Sequence, residues 1–457
     1  MSSATEPNKI KSISGKFYNI PEGANLTDIA PTGEFVEFPE IISFNYFESI
    51  HESFLRARLT VLDSAGEVDK AFNNCGIRQF CPVEIVLHDP AGGTDWERSV
   101  TAMTFAGSNC FYVNRVIAQN VKGKKKSYTL ELINKDAIVA FNTTVKFALP
   151  PDKTTKVDYN TAIDLVLGKY IKTAKPADIS TEMSEPVAKI MGNGKKTYQL
   201  INHICGKATP KSTSTGGGKE ETRATGYVFY ETYDRYRFNS IYNLMTKTSN
   251  YNQSHGAYTV RVNNTTAATG KDAAYTIVSF NFYDSSTQAG LLEEIASGKR
   301  GKKRNILLDV ARNKFKRIEK LPSESSVDPC LKAASDGQLT DIIIIDQAEY
   351  QTEFYRVCDP KALENEPTSP ELTSMNYPAT LALLKQKRAS MRVPGNLALS
   401  VGDHVYLEFP EIKADSGKEP EISPKYSGYY LITQLNHKVE EIQHVYTHLE
   451  LCKLINS

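Results

Sequence analysis

Two stretches near opposite ends of the chain share one layout, and that layout restricts the fold more than any other feature. "FYVNRVIAQNVKGKKKSYTLELINK" begins at Phe111, and "YYLITQLNHKVEEIQHVYTHLELCKLIN" begins at Tyr429. Each opens on an aromatic pair, Phe111-Tyr112 or Tyr429-Tyr430. Each begins its returning strand on a Tyr 17 residues after the first aromatic, at Tyr128 and Tyr446, and each closes on Leu-Glu-Leu, at 130–132 and 449–451. The polar, Gly-bearing Lys122-Gly123-Lys124 step makes the first stretch a hairpin. One extra residue lies between Tyr446 and Leu449, which shifts the exposed face unless a bulge absorbs it. A strand precedes each hairpin, "CPVEIVLHDP" from Cys81 and "VGDHVYLEFPE" from Val401. We read a divergent internal duplication of a small antiparallel β-domain. The competing reading is two Tyr-rich hairpins alike by chance, and the shared order of strand, spacer, hairpin and Leu-Glu-Leu favours duplication.

The remaining β-signals agree. In "FLRARLTVLD", Leu55, Ala57, Leu59 and Val61 share one face while Arg56, Arg58 and Thr60 share the other, the period of a half-buried strand. Pro394-Gly395-Asn396 supplies a turn. After it Val405, Leu407 and Phe409 alternate with His404, Tyr406 and Glu408. At 457 residues, the chain exceeds one simple core and holds roughly two to four domains. Its 24 Tyr and 19 Phe against one Trp suit strands.

Between the copies the period changes. "DYNTAIDLVLGKYIK" sets Ala162, Leu165, Val166 and Tyr170 along one helical face, with a start at Asn160 or Thr161. "TYQLINHICGKA" is a second helix, ended by Gly206. Residues 209–226 form a polar Gly/Ser/Thr loop. "GYVFYETYDRYRFNSI" is a hairpin turning near Asp234, leading toward Leu244 and Met245. A helix through Leu291–Ile295 stopped by Gly298, a buried strand at Ile342–Asp346 and a helix from Leu381 to Ala389 complete the pass.

The 54 basic and 53 acidic residues leave a formal charge of +1, so the whole chain is no magnet for nucleic acid or anionic membrane. Cys75, Cys81, Cys110, Cys205, Cys330, Cys358 and Cys452 contain no CxxC pair, and are read as reduced thiols in a cytosolic assembly environment. "MSSATEPNKIKS" lacks the apolar core of a signal peptide, and no run approaches the roughly 20 apolar residues of a membrane span. A soluble protein without stable membrane insertion is expected.

Catalytic chemistry finds no foothold. "STGGGKEET", Ser214–Thr222, lacks the first glycine of a phosphate-binding loop and places Glu220 after the Lys. His444 and His448 share one strand face with His437 nearby, but no Cys, Asp or Glu set accompanies them at metal spacing. No GxSxG or HExxH occurs, and nothing nominates a carboxylate pair. The run Lys299–Arg304 reads as a solvated turn, without the interleaved aromatics of single-strand binding. No catalytic, cofactor-binding or metal-ligating residue is nominated, and no cofactor is expected.

Four segments, in order, resemble one family. "GYVFYETYDRYRFNSIYNLM" is similar to its hairpin, in which an aromatic strand and acidic turn lead to an F-x-S-I/L strand. "LLEEIASGKRGKKRNILLDVARNKFKR" is similar to its helix, turn and strand. "MRVPGNLALSVGDHVYLEFP" is similar to its Val-Pro-Gly-Asn and Gly-Asp run, and "SGYYLITQLNHKV" with "YTHLEL" to its closing hairpin. The family is the central hub protein of contractile-tailed phage baseplates, related to pyocin and type VI secretion spike hubs. The resemblance implies a non-enzymatic structural protein of the virion baseplate, assembled in the host cytoplasm. It implies two tube-like β-barrels per chain and a homotrimer presenting six barrels. The implied partners are a central spike, tail tube or tube-initiator proteins and a tape-measure protein, with DNA passing through the lumen without specific binding.

The expected fold is mainly β, an α+β chain of two tube-like antiparallel barrels with smaller inserted segments. The first barrel spans 1–145, a mostly helical insert 146–224, and the second barrel combines 225–250 with 386–457, leaving 251–385 as a mixed elaboration. Nothing resembles a fused lysozyme or β-helical spike, and the insert matches the family only loosely. The alternatives are a hub of another contractile injection system and, in a different class, a tail-associated hydrolase or carbohydrate-binding β-protein using tyrosines as stacking platforms.

Overall fold

The computed structural model describes residues 8–9, 12–20, 30–31, 35–37, 40–64, 66, 77, 79–88, 103–122, 125–150, 156–187, 189–192, 194–211, 226–246, 257–259, 276–283, 303–309, 314–320, 351–356, 377, 381, 384, 388–409, 422–423, 426–440 and 444–454. The strands used below are β1 Ser12–Tyr18, β2 Ile41–Ser49, β3 Arg56–Asp63, β4 Pro82–His88, β5 Phe111–Lys122, β6 Lys125–Asn134, β7 Tyr227–Glu231, β8 Tyr236–Ser240, β9 Ser279–Tyr283, β10 Arg388–Pro394, β11 His404–Glu408, β12 Gly428–Glu440 and β13 His444–Lys453.

The chain is mainly β. All of these except the β7–β8 hairpin belong to one 15-stranded sheet whose path runs β9-β10-β13-β12-β2-β3-β6-β5-β4-β1 and on to Phe35–Glu37. The same order of pairing occurs twice in it. From β2 it is β2-β3-β6-β5-β4-β1, and from β9 it is β9-β10-β13-β12-β11, with Ala257–Thr259 beyond. The last step differs: β1 is antiparallel to β4, whereas Ala257–Thr259 is parallel to β11.

Residue register agrees across the two runs. Ala57 faces Leu132 and Arg58 faces Glu131 in the first, as Ala389 faces Leu451 and Ser390 faces Glu450 in the second. The outgoing strand of each hairpin is irregular at the same place, between Val113 and Arg115 and between Ile432 and Gln434. Phe111 therefore corresponds to Tyr430, and Tyr128 to Thr447, one residue later than the aromatic layout suggests. The extra residue after Tyr446 is not absorbed in β13. Tyr128 is buried in the core, while Tyr446 lies half-buried on the opposite face with the Arg392 guanidinium 3.5 Å from its ring centroid.

The sheet is continuous through the β12–β2 pair, and one apolar cluster runs beneath both runs. Leu59, Leu130 and Leu132 from the first join Met391, Leu449 and Leu451 from the second. A second cluster belongs to the insert. There α1 (Lys135–Asn142) is capped by Asn134, whose carboxamide oxygen accepts from Ala137 N–H. Helix α2 (Tyr159–Leu165) starts one step earlier than the period indicates, because Asp158 accepts from Thr161 N–H. It continues as a π-helical turn through Val166–Ile171. Asn160 instead points inward, its amide donating to the carbonyls of Ile179 and Glu182. Helix α3 (Thr197–Lys207) packs Leu200, Ile201 and Ile204 against this cluster.

Two expectations change. The β7–β8 hairpin does not pair with the 388–453 strands; β8 pairs in parallel with Ala177–Asp178 in a separate three-stranded sheet. Its side chains divide instead, Val228 and Tyr230 into the large cluster, Tyr227, Phe229 and Phe238 into the insert's. The helix anticipated to Ala389 gives way to strand β10 from Arg388, because Ala389, Met391 and Val393 alternate with polar Ser390 and Arg392 opposite Leu451, Leu449 and Thr447. The segments Ser214–Thr222, Leu291–Ile295, 299–302 and Ile342–Asp346 lie outside the described residues.

Candidate assembly surface

The outgoing strands of the two hairpins have different fates, and this sets the candidate surface. The outer half of β12, Gln434–Glu440, pairs antiparallel with β2, placing Val439 opposite Phe44, His437 opposite Tyr46 and Leu435 opposite Glu48. Alternation drives it: Leu435, His437 and Val439 are buried, while Gln434, Asn436, Lys438 and Glu440 line the polar face. The His437 ring stacks on Tyr46 at 6.0 Å and 6°, and its Nδ1 lies 3.0 Å from Thr447 Oγ1. Burial pushes the His437 pKa down to about 3, so the ring is neutral.

Glu48 locks this junction from the core side. It is buried, and its carboxylate accepts from Tyr46 Oη at 2.7 Å, Tyr233 N–H at 2.8 Å and Val401 N–H at 2.9 Å. Burial outweighs those bonds and raises its pKa to about 7. One side chain thus joins β2, the β7–β8 turn and the loop before β11. In that loop Gly402 donates to Ile432 C=O and Ile432 N–H donates to Asp403 C=O, which fixes the register of β11 on β12.

The outer half of β5 has no such neighbour. Strand β4 covers only its base, at Phe111 and Tyr112, and from Asn114 to Lys122 its second edge is unpaired among the described residues. Strand β9 likewise ends the sheet path, with β10 on one side and no described strand on the other. Val116, Ile117 and Val121 on β5 and Phe280 on β9 are exposed large hydrophobics.

Strand β9 reads Ser-Phe-Asn-Phe-Tyr at 279–283, and β2 carries Ser-Phe-Asn-Tyr-Phe at 43–47. Both occupy the same register. Phe44 faces Leu59 and Asn45 faces Arg58, as Phe280 faces Met391 and Asn281 faces Ser390. This match, three identities followed by two aromatics in each strand, was the signal that sequence reasoning missed.

The polar face of the sheet crosses the junction as an open groove of about 530 Å³, where Arg56, Arg58, Arg115, Glu131, Asn436 and His448 meet. Arg115 Nε donates to Glu131 at 2.5 Å, and this ion pair helps hold the Glu131 carboxyl below its usual range even though partial burial pulls the other way. His444 and His448 face this side and His437 the core, so the sheet separates them, and no group of three metal-ligating side chains occurs among the described residues. Cys81, Cys110, Cys205 and Cys452 are buried and belong to no disulfide. Among the described residues no helix is long and apolar enough to cross a membrane.

No family model and no curated protein matches the sequence. Among solved structures the chain is similar to the 43 kDa tail protein of prophage MuSo2 from Shewanella oneidensis. That similarity has 9% identity and a TM-score of 0.47, covering 97% of this chain and 98% of that one. It is similar to a tail protein from Neisseria meningitidis MC58 at 7% identity and TM-score 0.46, covering 96% and 95%. A type VI secretion component from E. coli is similar at 8% identity and TM-score 0.39, covering 91% of this chain and 73% of its own length.

Proposed function

We propose that this chain is the structural hub of a contractile phage baseplate, a homotrimer whose ring joins the tail tube to the central spike. The observation that carries the reading is the strand order that occurs twice and is joined once internally, through β12 and β2. Such a chain is two like units in series, an internal duplication of a tube-like β-domain. Three copies then present six units, which reconciles a sixfold tube with a threefold spike. The hub family that the sequence resembles carries the same logic, and a cyclic heterologous interface closes such a ring and covers its strand edges.

In this reading the polar face of the sheet, from Arg56 and Arg58 across Asn436 to His448, lines the lumen. Balanced charge suits passage of DNA without specific binding. The spike sits on one rim and tube or tube-initiator proteins on the other, with a tape-measure protein threaded between.

Light scattering coupled to size exclusion tests the ring. A species of about 152 kDa, three times the 50.8 kDa chain, is expected. Electron microscopy of tails labelled on this protein is expected to mark the axis at the baseplate, and label on the sheath or fibres would overturn the hub reading.

A further inference from the structure

The internal junction is a template for a contact that two edges, unpaired among the described residues, can make with another copy. Four positions carry the comparison. Val439 on β12 is 1% exposed and Phe44 on β2 is 0% exposed, because they face each other. Their equivalents by register, Val121 on β5 and Phe280 on β9, are 62% and 37% exposed. Within one chain the two halves are used asymmetrically: the second hairpin reaches the first unit's leading strand, while the first hairpin and the second unit's leading strand are left over. An unpaired strand edge flanked by exposed aliphatic and aromatic side chains invites strand addition.

We propose that the outer half of β5, Val116–Lys122, pairs antiparallel with the edge of β9, Ser279–Tyr283, that no described strand covers, in a second copy of this chain. The register copies the internal junction. Val121 lies opposite Phe280 of the neighbouring copy as Val439 lies opposite Phe44. Asn120 lies opposite Asn281, and Gln119 opposite Phe282, where His437 faces Tyr46 inside the chain. The contact is head-to-tail, so each copy gives one hairpin and receives one, and the sheet runs on from chain to chain. The occupant is argued from sequence as well as shape. The acceptor β9 carries Ser-Phe-Asn, the same three residues at the same register as the acceptor β2. This deepens the ring reading and rests on it only for closure at three copies; the pairing is read from the internal junction.

The test mixes two single-cysteine variants, Asn120→Cys and Asn281→Cys, both at exposed polar-face positions, with wild type as the control for native thiols. Under mild oxidation a disulfide between one variant and the other is expected, with neither variant linking to itself. Light scattering on the same samples reports the number of copies. A trimer without the mixed disulfide overturns the pairing and leaves the ring. A mixed disulfide in open ladders that never close at three supports the pairing and overturns the ring. A monomer without cross-link at the highest soluble concentration overturns both. Val121→Asp is expected to raise the concentration at half-assembly at least 10-fold while leaving thermal unfolding of the chain unchanged. Assembly of that variant at the wild-type concentration would also overturn the pairing.

Discussion

The carboxylate of Glu48 accepts the backbone N–H of Val401 at 2.9 Å, across 353 positions of sequence. The bond ties β2 to the turn that precedes β11, and it does so with a buried acid whose pKa is raised to about 7 by that burial. A carboxyl raised above its ordinary 4.5 favours the folded state in its protonated form. Its contribution is complete below about pH 4.5 and is lost as pH rises to about 7. The difference corresponds to about 3 kcal/mol. Asp403, raised by burial to about 6, acts in the same direction. Urea unfolding of wild type and Glu48→Gln at pH 5 and pH 8 isolates the Glu48 part. The stability of wild type relative to the variant is expected to fall by about 3 kcal/mol between the two pH values, and a pH-independent difference would show that Glu48 does not titrate in the fold.

His437 gives the opposite slope. Its folded pKa is depressed to about 3 by burial between β2 and β13. Its contribution is therefore present above the ordinary 6.5 and is lost as pH falls toward 3. His437→Asn removes the titration while keeping a polar side chain. The wild-type advantage is expected to shrink by about 2 kcal/mol between pH 6.5 and pH 4.5, read by thermal or urea unfolding. An advantage that grows on acidification would refute the neutral, buried ring.

A buried ion pair joins the insert to the β7–β8 hairpin, and its carboxylate reaches on to the first strands of the large sheet. Lys175 Nζ donates to Glu231, and the same carboxylate accepts from Leu55 N–H and from the Asn134 amide. Lys175→Met leaves the acid buried without its cation, at an expected cost of about 3–5 kcal/mol. Adding Glu231→Gln keeps an acceptor for Leu55 and removes the charge, so the double variant is expected to recover more than half of that loss. A double-mutant cycle with no coupling would place the pair outside the stability of the fold.

The hairpins were legible in the sequence because their returning strands alternate through Leu-Glu-Leu, and α2 because its apolar positions recur at helical spacing. Glu48 was legible in principle, since Phe44, Tyr46 and Glu48 alternate onto one face and a carboxylate there needs donors. Three things were not legible. The Ser-Phe-Asn match of β2 to β9 is too short to stand out before pairing gives it a register. Strand β10 follows an apolar Leu-Ala-Leu-Leu run that reads as helix, and only its partners in β13 and β9 select the extended form. The β7–β8 hairpin carries apolar residues on both faces because it separates two cores, and a sequence pattern cannot say which sheet such a hairpin joins.

Gly402 offers the most local test of how the halves lock together. Its φ is +87°, a conformation that L side chains rarely adopt, and a Cβ there would lie 2.1 Å from Tyr230 Oη. Gly402→Ala therefore carries two costs, about 1–3 kcal/mol for the backbone conformation and a further one for the collision. They are separable, because the next atom of Tyr230 stands 3.0 Å away. The Tyr230 hydroxyl is buried and has no hydrogen-bond partner among the described residues, so Tyr230→Phe is expected to be neutral or stabilising by about 1 kcal/mol. In the double variant the 2.1 Å contact is removed and the nearest ring atom stands 3.0 Å away, while the backbone cost persists. The loss from Gly402→Ala is thus expected to be smaller by at least about 1 kcal/mol when Tyr230→Phe is already present. Additive effects of the two substitutions would mean that the loop before β11 yields rather than holding Gly402 against Tyr230.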